Sequence, residues 1–168
     1  QLFDLYSRHH SHVETNRILI DIRSRKVWMQ GIEIQMSATH LATYIFILHQ
    51  TYCTHHQGLI KAGQHHPLSD RDVARLGRTY YAICNLLRET PTCDQRSYLD
   101  DVPNIRGYIA RLRSMIERHI PEPDVRYYLP NDTADKSRYH VTLDPDAILI
   151  RDSQGETKFC DYPLWKKL

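Results

Sequence analysis

The chain has 168 residues, enough for one ordinary domain or a small domain with extensions. Hydrophobic residues make up 41% and charged residues 25%, the composition of a globular chain rather than a disordered or fibrous one. The formal charge is only +2, which excludes bulk basicity as a reason to bind nucleic acid and leaves local clustering as the only route.

Eleven histidines make that charge responsive to pH near 6. No apolar run approaches the roughly 18 residues of a membrane span, so no membrane partner is expected. The four cysteines, Cys53, Cys84, Cys93 and Cys160, are far apart and form no C-x-x-C pair. They read as reduced thiols of a cytoplasmic protein rather than a disulfide framework. A start at Gln1, without methionine or a signal-like segment, points to a piece of a longer polypeptide.

Residues 1–16 are polar and read as a linker or the end of a preceding domain. In ILIDIRSRKVWMQGIEIQM, Ile18, Ile20 and Ile22 alternate with Leu19 and Asp21, which predicts a strand with one wetter face. A turn at Arg23–Arg25, a return strand from Val27 to Met29, a tight turn at Gln30-Gly31 and a third strand from Ile32 complete an antiparallel meander. Gly31 supplies the positive φ such a turn needs. Ser37 is placed to cap a helix that buries one face through Leu41, Tyr44, Ile45, Leu48 and Tyr52. Cys53 to Pro67 reads as a loop. Ser69 with Asp72 resembles a capping box, opening a second helix that buries Val73, Leu76, Tyr80, Ile83 and Leu87. Thr90-Pro91 ends it, and residues 91–103 connect onward.

NIRGYIARLRSMIERHI then forms a third helix. Ile105, Ile109, Leu112 and Ile116 share one arc, flanked by Tyr108 and Met115, and that stripe is core. Arg106 and Arg113 fall on one shoulder of the polar face, Arg111 and Arg118 on the other. Gly107, Ala110 and Ser114 lie between them. Small residues between guanidinium groups suit close approach to a phosphate backbone or major groove. The competing reading is a solvated helix face. Beyond Pro121, VRYYL and RYHVTL read as two strands around the turn PNDTADKS, and AILIR adds another.

Meander, three helices and a hairpin give an α+β fold with the chain order of a winged helix-turn-helix, the third helix entering DNA and the hairpin forming a wing. The wing contributes Arg126, Lys136 and Arg138. The domain spans residues 17–151, and residues 152–168 form an apolar tail that packs back on it or docks on a neighbour or second subunit.

VWMQGIEIQMSATHLATYIFIL resembles the opening of OmpR/PhoB-type effector domains, and IARLRSMIE with VRYYL and RYHVTL resembles that family's recognition helix and wing, covering residues 18–143. The family's glycine-containing wing signature is replaced by Arg138-Tyr139. ILIDIRSRKVWMQGIEIQMSATHLATYIFIL and RYHVTLDPDAILI also resemble the C-terminal winged-helix region of CRISPR-associated proteins, whose nucleotide-sensing CARF domain comes first and whose members are similar to ring nucleases that cleave cyclic oligoadenylates. The resemblance implies a regulatory module in antiviral defence, joined to a sensor domain preceding Gln1. It transfers no ring-nucleotide residue, since no stretch here matches a nucleotide-binding strand and loop.

Other chemistry is thinly represented. Cys53, His55, His56, His65 and His66 share one loop but match no standard zinc spacing, so no metal and no cofactor are assigned. There is no P-loop, no G-x-S-x-G and no H-E-x-x-H, and no catalytic residue is named. Asp100-Asp101 and the pair Asp144 and Asp146 read as solvated or capping carboxylates. Two functions therefore stand: a module for double-stranded DNA, or a protein-interaction or homodimerisation domain on the same scaffold.

Overall fold

The computed structural model describes residues 17–53, 70–87, 105–132 and 139–168. The linker at 1–16, the histidines from His55 to His66, Ser69, the connection at 91–103, Asp100-Asp101, Lys136 and Arg138 lie outside these residues. So do the side chains of Val73, Ile105 and Arg106.

The meander forms as its alternation predicts. Strands β1 (Ile18–Asp21), β2 (Lys26–Met29) and β3 (Ile32–Ile34) pair antiparallel in order. Ile18 stands opposite Met29, Ile20 opposite Val27 and Val27 opposite Ile34, and all five side chains are fully buried. A one-residue slip would turn this row outward, so burial fixes the register. Asp21 Oδ1 closes the first turn by accepting from the backbone N–H groups of Arg23 and Ser24 at 3.0 and 3.2 Å. Gln30 (φ 54°) and Gly31 (φ 74°) make the second, both in the left-handed region that a two-residue hairpin requires.

Three helices follow: α1 (Ala38–Tyr52), α2 (Asp70–Leu86) and α3 (Ile105–His119). The expected one-sided burial of α1 is an underestimate, since every residue from Leu41 to Gln50 is buried. α1 is the central helix, touched by α2, α3 and the strand Tyr139–His140. Its few polar groups are satisfied internally, as a buried helix demands. The Thr43 hydroxyl donates to Thr39 O at 2.8 Å and so accepts from Tyr80 Oη at 3.2 Å, while Tyr44 Oη donates to Tyr128 O at 2.7 Å. Phe46 meets the Tyr80 ring edge-on at 5.6 Å between centroids. The core stripes predicted for α2 and α3 are seated here: Leu76, Tyr80, Ile83 and Leu87, then Ile109, Leu112 and Ile116, are all buried. Each such side chain stabilises the fold by about 1.5–3 kcal/mol through area removed from water.

The C-terminal half departs from the winged-helix expectation. VRYYL is not a strand: Asp124–Tyr127 is a 3-10 helix, entered from Pro121-Glu122-Pro123. Val125 and Tyr128 are buried three positions apart with Arg126 exposed, which is a turn period rather than strand alternation. The hairpin shrinks to β4 (Asn131–Asp132) and β5 (Tyr139–His140), a separate two-stranded ladder. RYHVTL stops pairing after His140 because the carbonyls of Val141 and Leu143 turn to the hydroxyl of Tyr52 at 2.7 and 2.5 Å.

AILIR does add a strand, in a position that chain order did not reveal. β6 (Ile148–Asp152) returns to lie parallel to β1, with Ile18 beside Ile148 and Ile20 beside Ile150. β7 (Gly155–Lys158) pairs antiparallel with β6, giving a five-stranded mixed sheet in the order β3-β2-β1-β6-β7. Residues of the predicted tail thus extend the sheet. Phe159 and Tyr162 are buried beyond it, and Trp165 packs between them and His49. Among the described residues no helix is long and apolar enough to cross a membrane.

Candidate nucleic-acid interface

Helix α3 is held by its apolar stripe, and that stripe decides which residues face outward. With Ile109, Leu112 and Ile116 buried, Gly107, Ala110, Arg111, Ser114, Glu117, Arg118 and His119 are exposed, and Arg113 is half-buried. Neither Arg111, Arg113 nor Arg118 pairs with a carboxylate among the described residues; the ion pairs found there are Lys26–Glu33, Arg151–Glu156 and Lys158–Asp146. Ser114 directs its hydroxyl back to Ala110 O at 3.2 Å, so its hydrogen is engaged by its own helix. At the helix end a ring nitrogen of His119 lies 2.8 Å from Met115 O and donates to it.

At the start of α1 stands His40, whose ring feels the positive charge of Arg111. Ser37 caps that helix as predicted, accepting from His40 N at 3.1 Å, and its Oγ–H lies 3.0 Å from His40 Nδ1. Partial burial, and after it the positive charge of Arg111, hold the His40 ring below its usual pKa. A neutral ring leaves Nδ1 free to accept from the Ser37 hydroxyl. The Ser37-x-x-His40 spacing was the available signal, since it places histidine where a capping box has Glu. The same helix end opens on a pocket of about 330 Å³ lined by Arg25, Lys26, Gln35 and Ser37.

The other predicted contacts are dispersed. Arg126 is exposed on the 3-10 helix rather than on a wing, with its guanidinium 5.2 Å from the Tyr127 ring centroid and an Nη2–Tyr127 Oη contact of 3.4 Å. Asp144 accepts from the N–H of Asp146 at 2.9 Å as the cap of Pro145–Ala147, and Asp146 pairs with Lys158 at 3.4 Å. Both carboxylates thus have the capping or solvated roles read for them. Among the described residues, no three His, Cys, Asp or Glu side chains converge as a metal site.

No protein-family model, no curated protein and no solved structure matches this chain.

Proposed function

We propose that this chain is a nucleic-acid-binding regulatory module that contacts duplex DNA through the polar face of α3, and that it is the C-terminal part of a CRISPR-associated protein whose cyclic-oligoadenylate-sensing domain precedes it. The observation that carries the reading is the set Arg111, Arg113 and Arg118. Arg111 and Arg118 are exposed and Arg113 is half-buried beside the seated residues Ile109, Leu112 and Ile116, and none of the three pairs with a carboxylate among the described residues. A guanidinium that solvates a helix face is commonly neutralised at i,i+4, yet Glu117 stands one turn from Arg113 without pairing to it. Phosphate oxygens are the ligands that unpaired guanidinium groups fit best. Arg106 belongs to the same face by sequence. Lys136, Arg138 and Arg126 are assigned to flanking phosphates.

The competing reading is an interaction or homodimer surface on the same scaffold, and the small net charge of +2 favours it. Salt separates the two. Contact with about four to six phosphates weakens duplex binding by about 150- to 2,000-fold between 50 and 200 mM salt, whereas an apolar interface changes little. The test is fluorescence anisotropy of a labelled random duplex over that salt series, beside the combined R106A, R111A, R113A and R118A variant. Steep salt dependence abolished in the variant supports the reading. Absence of binding at low salt, or binding unaffected by the substitutions, overturns it.

A further inference from the structure

The two edge strands of the five-stranded sheet differ. β3 lies beside α3, whereas β7 is outermost at the other end and pairs only with β6. Among the described residues no other main-chain group bonds to Gly155–Lys158. Glu156 and Lys158 are exposed and, two positions apart, share the sheet face turned away from the core. Thr157, opposite the fully buried Ile150, takes the other face. An open edge of this kind is a template for another strand.

Charge crosses the outer face in an ordered row. Lys26 stands beside Asp21, Asp21 beside Arg151 and Arg151 beside Glu156, so the sign alternates from β2 to β7. The row ends at the open edge on a carboxylate. The cation that would continue it is carried by β7 itself. A second β7, antiparallel about a two-fold axis at Thr157, sets Lys158 of one copy opposite Glu156 of the other, at both ends of the contact.

We propose that β7 is a homodimerisation edge, joining two copies of this chain into one continuous sheet. Charges on an edge strand commonly guard it against pairing, and a strand of one sign would do so. β7 carries both signs at i and i+2, which makes antiparallel self-pairing attractive. β3 lacks this property, since the same operation about Glu33 sets that carboxylate against its own copy. Glu156 and Lys158 already touch Arg151 at 3.0 Å and Asp146 at 3.4 Å, but such exposed pairs are weak and leave each group able to take a second partner. The contact is isologous, as a closed two-fold requires. It lies at the opposite end of the sheet from α3, so it holds whether or not α3 takes a duplex. With four residues a side the ladder is short, and association is expected at about 10–500 μM.

Sedimentation velocity of the whole chain over that concentration range reads the association. The mass should rise from that of the monomer toward twice it, and hydrogen exchange at the Gly155–Lys158 amides should slow in parallel. Glu156→Lys and Lys158→Glu each set like charges opposite one another at both ends, and each should weaken association by about 10- to 100-fold. Mixed in equal amounts, the two variants should associate again, because every facing pair is then of opposite sign. Circular dichroism of each variant alone reports that it is folded. A chain that stays monomeric throughout, a dimer that both substitutions leave intact, or folded variants that fail to associate on mixing overturns the proposal. So does a dimer of the unsubstituted chain in which these amides exchange no more slowly, whatever the variants do.

Discussion

His49 gives this fold a calculable sensitivity to acid. Its side chain sits in the buried run of α1 against Trp165, and burial lowers its pKa from 6.5 to about 4. Gln50 Nε2 lies 3.3 Å from His49 Nδ1, and an amide nitrogen can only donate, so Nδ1 is unprotonated in the folded state. In the unfolded chain the ring titrates near its ordinary value. Between pH 6.5 and 4 the unfolded state therefore binds more protons, and stability falls as pH falls through that window. With these two values the loss is about 2 kcal/mol at pH 5 relative to pH 7.5, approaching about 3 kcal/mol below pH 4.

The other ten histidines and the carboxylates titrate as well, so the clean measurement is a difference of differences. Urea unfolding of the chain and of His49→Leu, a substitution of similar volume without a titratable group, is compared at pH 7.5 and pH 5. The advantage of the native chain over the variant should shrink by about 2 kcal/mol, a relative midpoint shift on the order of 1 M urea. An advantage that stays constant between the two pH values would refute the assignment of a buried, neutral His49.

Two further substitutions test the packing. Tyr44→Phe removes a hydroxyl from a fully buried side chain and leaves the Tyr128 carbonyl without that donor, at a cost of about 1–3 kcal/mol. The thermal midpoint should fall by about 2–10 °C, and a change under about 1 °C would mean that this bond contributes nothing net. Gly31→Ala meets no atom within 4 Å, so only the backbone resists it. With φ at +74° it should cost about 1 kcal/mol, readable as a small drop in urea midpoint, and Gly31→Asn should cost less. Equal stability of the alanine variant would show that the turn shifts conformation freely.

Sequence pattern alone determined the local elements of the N-terminal half. Period-two burial from Ile18 to Ile22 set the first strand, Gln30-Gly31 set the hairpin, and Ser37 set the start of α1. The stripe Ile109, Leu112, Ile116 also fixed which arginines of α3 face outward, because on a helix the buried arc leaves only one polar arc. That much of the candidate interface was legible, while the electrostatic influence of Arg111 on His40 was not, since it acts between α3 and the start of α1.

Tertiary structure decided the rest. Nothing local in Ile148–Asp152 says that it lies parallel to Ile18–Asp21, since a parallel partner is chosen by closure of the whole intervening chain. The same closure moved Arg126 from a wing to a 3-10 turn and surrounded α1 on all sides. Spacing along a chain fixes which face a side chain takes; only the packing of distant segments fixes what that face meets.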